Sequence, residues 1–195
     1  MRHPLFPLNT VLFPGNQLPL QIFEQRYLSL VTESLREQQG FVAVLISDGQ
    51  EVDDTPKIFS TGCYVEITDW ETLDNGLLGV TITGRYRTTL KNISIRDSGL
   101  MMAETINLDD TIASETHYPL PEPYWHLRET LKQLLQHPFS EGRQEEINFD
   151  SARQVCYHLC NLLPINNEQK QFLLEVPSIE ELLDQVCLQI KALQK

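Results

Sequence analysis

The chain has 195 residues, a formal net charge of −12, 41% hydrophobic and 22% charged side chains. This is ordinary globular usage; it excludes a disordered chain, a collagen and a coiled-coil rod, and leaves length for one domain or a small pair. The acidic balance and the lack of any basic run exclude the phosphate-neutralising surface of a nucleic-acid binder and docking to an anionic membrane.

The charge is uneven. Residues 1–40 are neutral overall, residues 41–118 carry −8 and residues 119–195 carry −4. No calcium-loop pattern accompanies the acids, so they read as a solvated face. The longest apolar run, Phe41 to Ile46, is far short of the roughly 20 residues that span a membrane. The start, Met1-Arg2-His3-Pro4-Leu5-Phe6-Pro7, is broken by proline and does not read as a signal peptide. A cytoplasmic protein is expected, with Cys63, Cys156, Cys160 and Cys187 as reduced thiols.

The first half, to about residue 115, reads mostly as strands. One helix interrupts this half, Glu24 to about Gln38, with Tyr27, Val31 and Leu35 on its apolar face and Gly40 as its stop. Phe41 to Ile46 is apolar throughout, which suits a central strand covered on both faces. Ser47 to Lys57 is a polar, acidic loop. Cys63 to Thr68 alternates as a half-buried strand, Asn75-Gly76 marks a tight turn, and Leu77 to Thr83 is the return strand. Arg85 to Arg96 is another strand with a bulge in its second half, Ser98-Gly99 a turn, and Leu100 to Leu108 a last strand.

The second half reads as helices. Pro119, Pro121 and Pro123 lead into a helix carrying Tyr124, Leu127, Leu131 and Leu134, which His137-Pro138 ends. Residues 139–149 form a polar loop. Asp150 or Ser151 caps a helix with Ala152, Val155, Cys156, Leu159 and Leu163 on its buried stripe, stopped by Pro164. Asn166 or Asn167 caps a short helix carrying Phe172 and Leu173, ended by Pro177. Ser178-Ile179-Glu180-Glu181 is a capping box for a last helix with Ile179, Leu182, Leu183, Val186, Ile190 and Leu193 on one face. Strands followed by helices indicate an α+β chain. The expected division is residues 1–118, β-rich, and residues 119–195, helical.

The chain contains no phosphate loop, no G-x-S-x-G elbow, no H-E-x-x-H helix and no G-x-G-x-x-G. Cys156 and Cys160 share a helical face, but no second Cys or His pair lies nearby, so core packing is expected rather than a metal site. Cys63 is the candidate nucleophile for a hydrolase. Sequence pairs none of His3, His117, His126, His137 and His158 with it, and an inward-facing strand cysteine is commonly core. Arg85-Tyr86-Arg87 places two arginines on one strand face and Tyr86 on the other. The plain reading pairs the arginines with nearby acids; the functional reading makes the three a partner-binding edge, since Arg and Tyr are enriched at interfaces.

The stretch Pro4-Leu5-Phe6-Pro7-Leu8-Asn9-Thr10-Val11-Leu12-Phe13-Pro14-Gly15, continued by Leu18-Pro19-Leu20-Gln21-Ile22-Phe23-Glu24-Gln25-Arg26-Tyr27, resembles the start of the Lon protease N-terminal domain family. Gly62, Gly84-Arg85, Leu162-Leu163-Pro164 and Lys170 to Glu175 agree more loosely, so the resemblance covers nearly the whole chain. Read physically, Pro14-Gly15 is a turn, Phe13, Leu20, Ile22 and Phe23 are core, and Glu24 and Arg26 form a salt bridge at the helix start. The resemblance implies a β-rich, PUA-like N-terminal subdomain and a helical C-terminal one. It also implies binding of unfolded or exposed apolar polypeptide segments; with no ATPase or protease motif present, a stand-alone, non-catalytic adaptor for a protease or chaperone that needs no cofactor is expected. A small-molecule carrier with its ligand between the subdomains is the alternative.

Overall fold

The apolar run at Phe41 becomes a strand whose two faces are both covered. Phe41 and Ala43 pack with Phe6, Tyr27 and Leu30, while Val42 and Val44 pack with Leu5, Leu90 and Ala103. Alternate residues of a strand point to opposite faces, so two clusters explain one unbroken apolar run. The computed structural model describes residues 1–51, 56–108, 118–136 and 147–193. It divides into two compact units, residues 1–109 and residues 110–195. The fold is α+β.

The first unit holds β1 (Arg2–Leu8), β2 (Gln17–Ile22), α1 (Gln25–Glu37), β3 (Phe41–Asp48), β4 (Lys57–Ile58), β5 (Thr61–Thr72), β6 (Leu78–Ile95) and β7 (Met101–Asn107). The sheet order is β1-β7-β6-β5-β3-β4, with β2 also on β6. A parallel β1–β3 pairing closes five of these strands into a ring, and the other pairings are antiparallel. The long strand β6 replaces the two strands expected between Leu77 and Arg96. Bulges interrupt it: its register with β5 shifts beside Tyr64 and Val65, and its register with β7 shifts between Lys91 and Ser94, where a bulge was expected. Asn92, in the second bulge, has φ 48°. The Asn75-Gly76 turn is present: Gly76 has φ 79°, and Leu77 N–H donates to Asn75 Oδ1 at 3.0 Å.

Two expectations for α1 are corrected. Its C-cap is Gln38, at φ 52°, rather than Gly40. Gly40 is required by close approach, because a Cβ there would stand 1.9 Å from Val65 O. Leu35 is 43% exposed. The buried stripe runs through Tyr27, Leu30, Val31 and Ser34, and at about 100° per residue Leu35 has rotated past its edge.

The second unit holds a short 3₁₀ turn (Glu122–Tyr124), α2 (Trp125–Leu135), α3 (Ala152–Leu162), α4 (Asn167–Glu175) and α5 (Ile179–Leu193). Leu127 and Leu131 of α2 are buried. The stop expected at His137-Pro138 lies outside the described residues. Ser151 Oγ accepts from Gln154 N–H at the start of α3, whose Val155 to Cys160 are all buried. Asn166 and Gln169 form a reciprocal capping box on α4. Ser178 Oγ accepts from Glu181 N–H, and α5 buries Ile179, Leu182, Leu183, Val186 and Ile190. Phe172 and Leu193, expected on buried faces, are 49% and 45% exposed. No described helix is long and apolar enough to cross a membrane.

Candidate polypeptide-binding surface

The N-terminal motif builds an edge. At the Pro14-Gly15 turn Gly15 takes φ 82°. Gly15 N–H donates to Gly84 O at 2.9 Å, and Gly84 N–H donates to Asn16 O at 3.0 Å. Gly84 permits this approach, since a Cβ there would stand 2.5 Å from Phe13 O. The staple lays β2 antiparallel on β6, from Gln17 opposite Thr83 to Ile22 opposite Leu78. No described strand pairs with the other edge of β2. Antiparallel bonding alternates from the Asn16–Gly84 pair, so Leu18, Leu20 and Ile22 turn their main-chain groups to β6 and Gln17, Pro19 and Gln21 turn theirs outward. Pro19 therefore sits where a strand tolerates the loss of a donor.

Beneath that edge is a groove of about 160 Å³. Phe6, Leu8, Leu20, Phe23 and Tyr27 supply its apolar walls, with Glu24 and Glu51 at its rim. Phe6 and Tyr27 stack with ring centroids 4.2 Å apart. Phe23, expected in the core, is 61% exposed. It follows the last residue of β2, beyond the point where the sheet is covered. Phe13 and Ile22 are buried as expected, and Leu20 is half-buried. The Glu24–Arg26 salt bridge forms at 2.8 Å, and Arg26 also lies over the Tyr27 ring, 4.8 Å from its centroid. Burial raises the Tyr27 hydroxyl to about 12, with Arg26 opposing and Glu24 and Glu51 adding, so it stays a neutral donor at physiological pH.

A second depression, of about 210 Å³, is lined by β2, β5 and β6 and shares Pro19, Leu20 and Gln21 with the groove. Gly79 forms part of its wall, with Leu73 and Glu71 folded over it. Trp70, opposite Val80 in the register, is 61% exposed. Neither Trp70 nor Phe23 was singled out for a site from sequence. Motif membership argues for core at Phe23, and the fold leaves both aromatics in solvent.

The Arg85-Tyr86-Arg87 arrangement differs from the expected one. Gly84 pairs with Val65 and Tyr86 with Tyr64, which leaves Arg85 as the extra residue of a bulge. The bulge breaks alternation, so the two arginines do not share an exposed face. Arg85 is exposed and its Nε lies 2.7 Å from Glu66 Oε2, whereas Arg87 is 4% exposed. Tyr86 stacks on Tyr64, with centroids 4.6 Å apart. Cys63 is buried in the core, and so are Cys156 and Cys160. Burial pushes both helix thiols well above their usual range, which suits packing and not nucleophilic work.

The family described as the ATP-dependent protease La (LON) substrate-binding domain matches residues 2–192. The chain belongs to this family. Lon protease 1 of Bdellovibrio bacteriovorus is 23% identical over 183 residues, an alignment covering 91% of this chain and 23% of that protein. The chain thus matches less than a quarter of that relative's length. The crystal structure of the Lon N-terminal domain protein from Xanthomonas campestris has a TM-score of 0.78 at 28% identity, covering 96% of this chain and 98% of that one. The N-terminal domain of the Mycobacterium avium complex Lon protease has a TM-score of 0.66 at 13% identity, covering 97% of each chain, and shows the shared fold. As a Lon substrate-binding domain, the chain is of the substrate-recognition type.

Proposed function

We propose that this chain is a non-catalytic module that holds exposed apolar segments of unfolded polypeptides in the groove along β2. The carrying observation is a coincidence of motif and surface. Every residue lining that groove except Glu51 lies within Pro4 to Tyr27, the stretch that carries the family resemblance. An extended segment suits the geometry, because β2 turns main-chain groups outward beside apolar walls. Strand addition supplies affinity through the backbone, and pockets for alternate side chains supply preference. The module would act in the cytoplasm as an adaptor, presenting captured chains to a protease or chaperone.

The test is anisotropy of a fluorescent, permanently unfolded protein titrated with the purified chain, with a folded protein of similar charge as control. Saturable binding of the unfolded probe alone, little changed between low and high salt, is the expected result. No binding up to high micromolar concentration would overturn the proposal.

A further inference from the structure

We propose that Cys187 and His126 form a thiol-exchange site on the helical unit, where a low-molecular-weight disulfide is captured as a mixed disulfide. Cys187 Sγ on α5 lies 3.5 Å from His126 Nε2 on α2. His126 Nδ1 lies 3.1 Å from the Pro123 carbonyl oxygen. A carbonyl only accepts, so Nδ1 carries the ring proton and Nε2 presents its lone pair to the thiol. The base is thus held in the tautomer that can take the Sγ proton.

The packing positions both groups at a solvent-facing seam. Leu183, Val186 and Ile190 turn α5 inward, which leaves Cys187 at the border of the buried stripe, half-buried. His126 is exposed, next to buried Leu127. One turn earlier on α5 the seam is fixed by Tyr124 Oη donating to Asp184 Oδ1 at 2.6 Å. The other three cysteines are at most 1% exposed, so Cys187 is the thiol a small reagent can reach.

The groups facing Cys187 are His126 from α2, Tyr124 just before it, Cys156 from α3, and Asp184 and Lys191 from its own helix. Burial raises the thiol, Lys191 opposes, and Asp184 adds to the rise. The thiol is therefore protonated at rest, and exchange depends on a base at the moment of attack. In the step, the Sγ proton passes to His126 Nε2 as Sγ bonds one sulfur of the disulfide. The S–S bond breaks, and the leaving thiolate takes the proton from the imidazolium. One disulfide and one thiol become a mixed disulfide and a new thiol, with no other oxidant.

The experiment treats the intact protein with a chromogenic aryl disulfide, follows the released thiol, and maps the adduct by mass spectrometry. One equivalent should react quickly, on Cys187, and Cys187→Ser should remove it. His126→Gln should slow that equivalent at least about tenfold at neutral pH, as expected for loss of a positioned base. The wild-type rate–pH profile should carry a limb below the range of thiol ionisation that His126→Gln lacks, with both proteins showing the same thermal midpoint. An unchanged rate in His126→Gln, a first adduct on another cysteine, or a wild-type rate that rises only with thiol ionisation would each overturn the proposal.

Discussion

Phe23 offers the sharpest test of the groove, because the family motif and the structure assign it different roles. If it were core, Phe23→Ala would cost about 3–5 kcal/mol of stability. At 61% exposure it should cost little, within about 0.5–1 kcal/mol. Its work would be in binding. An aromatic side chain presents about 150–250 Å². With 61% of that open to a partner, roughly 90–150 Å² remains to be covered, or about 2–4 kcal/mol at about 25 cal/mol per Å². Ordering the partner and the ring lowers this to about 1–2 kcal/mol, a loss of roughly 5–30-fold in affinity. Urea denaturation gives the first quantity, and anisotropy with the unfolded probe gives the second. A stability loss above about 3 kcal/mol would return Phe23 to the core. An unchanged Kd in a stable variant would remove Phe23 from the binding surface and refute the assignment of the groove.

Three further outcomes are expected. Gly84→Ala should destabilise by at least about 1–3 kcal/mol in urea, because the new Cβ meets Phe13 O at 2.5 Å and Cys63 Sγ at 2.9 Å. Asn166→Ala should lower stability by about 1 kcal/mol, read as a drop in Tm, since it removes one half of the α4 capping box. His3 is buried, with Nδ1 2.8 Å from Thr105 Oγ1, and burial with the neighbouring N-terminal amine lowers its pKa from 6.5. The unfolded chain then binds the proton more readily, so stability should fall as pH drops below 6.5 towards the lowered folded value. In His3→Gln, the slope of unfolding free energy against pH in that window should be shallower; an equal slope would rule out His3 as its source.

Much of the local structure was legible. The Asn75-Gly76 turn, the caps at Ser151, Asn166 and Ser178, and the bulge around Asn92 all appear where the sequence places them. Each depends on a few adjacent residues and their own hydrogen bonds, so neighbours suffice to specify it. Strands β1 and β2 were not legible, because Pro4, Pro7 and Pro19 argue against strand. The structure accommodates them: β1 takes one parallel partner and one antiparallel partner, and Pro19 sits on an edge.

The candidate surface was legible as a motif and not as a surface. Phe6, Leu20, Phe23 and Tyr27 read alike as apolar residues of one N-terminal motif. Phe6 and Tyr27 are under a tenth exposed, while Phe23 is in solvent. By itself the sequence determined the α+β order, the turns, the caps and the family. Tertiary structure alone decided which apolar residues stay uncovered, that a bulge separates Arg85 from Arg87, and that His126 meets Cys187 from 61 residues away. Turns and caps are short-range conformational preferences, whereas exposure and long-range contact depend on which element packs over a given face, and that is set by the chain as a whole.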